Sequence, residues 1–92
     1  MDELHTHWKQ FVGLPFPPSA HVATLPLESI DSILAGCIST MIQKGTLEEN
    51  QWSLLEKTLE QLHDNFEKIP HEAQSYFSQL FEMGKTVLEN KK

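Results

Sequence analysis

Glu60 and His63 stand three residues apart, the Glu-x-x-His spacing with which di-iron carboxylate bundles aim two ligands from one helical face. Such a centre needs two of these pairs and two further glutamates, all pointing inward. This chain has one pair. Glu56 and Glu67 fall on the same helical stripe, so a surface divalent site is an alternative to the plainer reading of a solvated face. His5 and His7 lie about 200° apart around a helix and could share a metal only from an extended segment. His21 and His71 have no partner at a ligand spacing.

Nucleophilic chemistry would need Cys37 or a serine beside a histidine and an orienting acid. Cys37 lies within an apolar helical pattern, where a thiol behaves as a small buried hydrophobe. The chain has no glycine-rich phosphate loop, no strand to lead into one and no cysteine pair for zinc. These residues predict neither an enzyme nor a bound cofactor.

Composition narrows the partner. The seven basic residues are all lysines, set against ten glutamates and three aspartates for a net charge of −6. Without guanidinium groups the chain is poorly equipped for phosphate forks or base edges, so nucleic acid is not an expected partner. A basic protein suits the charge better. One cysteine excludes a disulfide framework and points to a reducing compartment, so the cytoplasm is the expected location. No apolar run approaches the roughly 20 residues of a membrane span, and the N-terminus lacks the basic-then-apolar order of a signal peptide. At 92 residues a single core is only marginally sufficient, which makes self-association a reasonable expectation.

The elements that must position these residues read as helices. Trp52, Leu55, Leu59, Leu62, Phe66 and Ile69 recur at alternating spacings of 3 and 4, one side of a helix. Its outer positions hold Glu48, Glu49, Glu56, Glu60, Asp64 and Glu67 against Lys57 and Lys68, so most of the net charge lies on this surface. Thr46 and Glu49 form a capping-box pattern at its start. Pro70 should turn the chain into a further helix, making a hairpin. The alternative is one long helix kinked there, because Ala73, Tyr76, Leu80, Met83 and Val87 continue the rhythm. Phe77, Phe81 and Leu88 widen that last apolar face.

Upstream, Leu4, Trp8, Phe11 and Val12 predict a short helix capped by Asp2 and stopped by Gly13 and Pro15. The proline-rich stretch 14–24 predicts an extended strap packed over the bundle through Phe16, Val22 and Leu25. Its Pro15 and Pro18 also have the P-x-x-P spacing of a groove ligand. A helix from about Pro26 to Lys44, ended by Gly45, carries Leu27, Ile30, Ile33, Leu34, Cys37, Ile38, Met41 and Ile42. That stripe is wide enough to touch two neighbours. The opposite face holds Ser29, Ser32, Ala35, Gly36, Ser39, Thr40 and Gln43, small or neutral residues that would let another helix approach closely.

The expected architecture is one all-α domain over 1–92, a small bundle of a short N-terminal helix, a proline-rich strap and three longer helices, the last two antiparallel. The expected function is non-catalytic protein binding, by a homodimeric adaptor or small regulator that also meets another protein. The candidate interface is Ser29, Ser32, Gly36, Ser39, Thr40 and Gln43. Alternatives are an acidic inhibitor of the immunity or antitoxin kind that covers a basic partner, and a metal-binding bundle using Glu60 and His63.

Overall fold

The computed structural model describes residues 2–22 and 25–91, the side chains of residues 2, 21 and 22 excepted. The expected cap at Asp2, the ligand capacity of His21 and the packing of Val22 lie outside the described residues. The order is α1 (Asp2–Phe11), a 3-10 turn (Pro18–Val22), α2 (Leu27–Lys44), α3 (Glu49–Asp64), a 3-10 turn (Phe66–Lys68) and α4 (His71–Glu89). All described regular structure is helical, as the periodicities predict.

Helix α2 is central. It packs on both α3 and α4 and buries Leu27, Ile30, Leu34, Cys37, Ile38 and Met41, with Ile33 and Ile42 at the edges of the stripe. It ends where glycine is required, since Gly45 adopts φ 76°, a left-handed conformation costly for side-chain-bearing residues. The Gly45 amide donates to the carbonyl of Met41 at 2.8 Å. The short connection that follows makes α3 antiparallel to α2.

Helix α3 begins two residues later than the Thr46 pattern predicts. The box is formed by Glu48, whose amide donates to Oε1 of Gln51 at 2.9 Å, while Thr46 Oγ1 donates to the carbonyl of Leu47. The cause is burial. Leu47 precedes the cap and Trp52 sits four positions into the helix, the two places of a hydrophobic staple, and both are buried. Drawing Leu47 into the core holds the chain extended until Glu48.

The hairpin, not a kinked helix, joins α3 to α4. Asn65 stops α3, donating its Nδ2 to the carbonyl of Gln61 at 2.9 Å, and Ile69 and Pro70 are both extended, with ψ of 131° and 139°. Ile69 is nevertheless buried, so the apolar rhythm survives the turn although the helix does not. Pro26 and Pro70 each stand at the cap, one place outside the first turn where proline was expected.

The hairpin closes tightly at Gly84. A Cβ there would come within 2.8 Å of Leu59 Cδ2, so the missing side chain is what lets α4 lie against α3. Leu55, Leu59 and Leu62 meet Phe77, Leu80, Met83 and Val87 in the core that α2 completes.

The N-terminal arm is held by aromatic rings. Leu4 and Phe11 of α1 are buried and Trp8 is half-buried, but Val12 falls just past the helix and is 57% exposed, contrary to its expected place on the docking face. The strap is not extended throughout, because it winds into the 3-10 turn at Pro18 and buries Ala20. Phe16 meets Tyr76 and Phe77 edge-on at centroid distances of 5.7 and 6.1 Å, and Phe11 meets Tyr76 at 4.7 Å. Arm and strap pack chiefly on α2 and α4, which leaves the other side of the α3/α4 pair open.

Candidate functional site

The small-residue face of α2 points to solvent. Ser29, Ser32, Gly36 and Gln43 are exposed, and Ala35, Ser39 and Thr40 are partly exposed. Thr40 Oγ1 donates to the carbonyl of Gly36 at 2.8 Å, and Gln43 Nε2 approaches Ser39 Oγ at 3.5 Å, so these polar groups are partly satisfied along the helix itself. A Cβ on Gly36 would meet none of the described residues within 4 Å.

Glu60 and His63 lie on the outside of α3, not in the core. His63 has 74% of its side chain exposed, its Nδ1 3.3 Å from Asp64 Oδ1, and its ring 6.0 Å from that of Phe81 across the hairpin. Glu56 shares that face, whereas Glu67 has left it for the 3-10 turn. Among the described residues no three histidines, cysteines or carboxylates come together as a metal would require. His5 is exposed and His7 sits 3.4 Å from Gln79 Oε1, on a helix that separates the two imidazoles. His71 opens α4, exposed.

Cys37 is buried within α2, and burial pushes its thiol pKa up, the opposite of what a nucleophile needs. Tyr76 holds a strongly perturbed proton. Burial comes first, and then the hydrogen bond its hydroxyl donates to Asp31 Oδ1 at 2.5 Å and that carboxylate's charge, raising the phenol well above its ordinary value. This bond ties α4 to α2.

Pro15 and Pro18 line a shallow groove with Leu14 and Tyr76, against α4. The 3-10 turn that starts at Pro18 breaks the continuous extended form a P-x-x-P ligand presents.

Sequence reasoning missed the groove between the outer sides of α3 and α4, lined by Glu56, Leu59, Glu60 and His63 facing Phe81, Lys85 and Leu88. The signal was present as two sets with the same spacing of 4 and then 3, which an antiparallel hairpin sets side by side. All six outer carboxylates of the α3 region, from Glu48 to Glu67, are exposed, as are Lys57 and Lys68. No family model, curated protein or solved structure matches this chain.

Proposed function

We propose that the protein is a non-catalytic interaction module that forms a homodimer through the outer face of α2, in the cytoplasm. The observation that carries this reading is Gly36. A glycine in a helix interior costs about 1 kcal/mol relative to alanine, and among the described residues nothing lies within 4 Å of where its Cβ would stand. Close approach by a second helix gives that space a use, and the flanking Ser29, Ser32 and Ser39 can hydrogen-bond across such a contact. Neutral side chains there also keep the charge of −6 on each copy away from the contact.

Gly36→Lys tests this directly, since a Cβ at 36 meets none of the described residues within 4 Å, whereas the added ammonium sets like charges against each other across a two-fold axis. Light scattering at micromolar concentration should give twice the chain mass for the wild type and the chain mass for the variant, with equal helical circular dichroism. A monomeric wild type would sink the dimer.

A second reading, an acidic protein that covers a basic partner, is favoured by Glu56 and Glu60. Both are exposed, and no lysine or histidine among the described residues lies within ion-pair distance of either.

A further inference from the structure

The open side of the hairpin carries more than charge. On α3, Glu56, Glu60 and His63 repeat at 4 and 3 residues, and on α4 Phe81, Lys85 and Leu88 do the same. Each helix thus presents a second stripe beside the one buried in the core. Between the stripes lies a groove of about 350 Å³ with an apolar floor made by Leu59, Phe81 and Leu88. Seven residues of helix span about 10 Å at 1.5 Å per residue, so the groove is two helical turns long. It runs along the hairpin axis.

We infer that this groove seats an amphipathic helix of a protein partner, with apolar residues on the floor and lysine or arginine along the edge facing α3. The inference rests on the protein-binding reading given above but uses a different face. A groove between antiparallel helices accepts a third helix lying along it, the geometry of a helical bundle. Here α2 occupies one side of the α3/α4 pair and the partner helix occupies the other.

Charge selects the occupant. Among the described residues Glu56 and Glu60 stand along the α3 edge without a cationic partner, and Asp64 extends that edge by a turn. Lys85 is the lysine that lines the groove from α4. A basic edge on the incoming helix compensates these carboxylates, whereas an acidic one is repelled. A second copy is a poor occupant. The large apolar side chains it leaves exposed among the described residues are Val12, Leu14 and Leu54, which supply no stripe along one helix, and it brings a further charge of −6.

The test uses the full chain and a designed helical peptide of about 18 residues, ~27 Å long, with leucines at i, i+3, i+4 and i+7 and arginines along one edge. A second peptide keeps the leucines and replaces arginine by glutamate. Binding is followed by fluorescence anisotropy of the labelled peptide, and the site by amide chemical shifts of the protein. Two double variants, Glu56→Lys with Glu60→Lys and Glu3→Lys with Glu72→Lys, change the net charge equally, from −6 to −2. All four glutamates are exposed.

The arginine peptide should bind, shifting amides of 56–63 and 81–88, and the glutamate peptide should not. The groove variant should weaken binding by about tenfold or more, and the matched variant by much less. Equal weakening by both variants would reveal general charge attraction and overturn the groove, as would shifts confined to α2 or no binding at all. The two readings fail separately. A dimeric wild type that ignores the peptide loses only the groove, and a monomeric one that binds it through 56–63 and 81–88 loses only the dimer.

Discussion

Tyr76 is the only tyrosine in the chain, so its proton can be followed alone. Burial and the Asp31 carboxylate raise its pKa in the folded state above the ordinary value of 10.0. The folded chain therefore holds this proton more tightly than the unfolded one, and the stability so gained is complete below pH 10 and is lost as pH climbs above it. Tyrosinate absorbance should rise together with loss of helix in an alkaline titration, and Tyr76→Phe should blunt that loss. Free titration near pH 10 with the helices intact would show the phenol to be exposed. Other single-residue features were only partly legible. Gly84 had no reading in the sequence, and only the facing Leu59 shows that it marks close approach. Val12 carries an apolar side chain at a plausible spacing, yet α1 stops one residue short of it.

At the scale of the element, the strongest test is the phase of α3. Leu59 is 5% exposed beside Gly84, and Glu60 is exposed on the groove wall. Leu59→Ala should cost about 2–5 kcal/mol as a core truncation, and Glu60→Ala less than ~0.5 kcal/mol as a surface change. Urea unfolding followed by circular dichroism gives both, and equal costs would mean the helix is rotated. That phase was legible because Trp52, Leu55, Leu59 and Leu62 all had to reach one side. The end of α2 was legible for a different reason, since a glycine after the last apolar residue supplies the left-handed cap. The start of α3 was not, because Thr46 is the better cap by residue type and the cap moved to Glu48 with the burial of Leu47, a tertiary effect. The strap posed the same difficulty. Prolines fix φ at values that extended chain and a 3-10 turn share, so local sequence does not separate them.

For the molecule as a whole, the Cα radius of gyration is 12.6 Å, close to the ~12 Å expected of a folded chain of this length. Among the described residues only Val12, Leu14 and Leu54 leave a large apolar side chain exposed, so the core itself does not call for a second copy. The dimer proposal therefore rests on the α2 face and not on an incomplete core, the reverse of the weight that length alone suggested. The groove could not be seen from either helix separately, since it exists only when residues 56–63 and 81–88 are laid side by side. The aromatic clamp on the N-terminal arm has one more consequence. Helix α1 contributes Leu4 and Phe11 to the interior, while α2, α3 and α4 interlock through many more side chains, so the arm can detach without opening the rest. Native-state hydrogen exchange should resolve two cooperative units, amides of 4–11 exchanging through a low-energy partial opening and the α2–α4 amides only through global unfolding. Trp8 and Trp52, one in each unit, would then report successive fluorescence transitions in denaturant, so that the midpoint measured for this protein depends on which indole is observed.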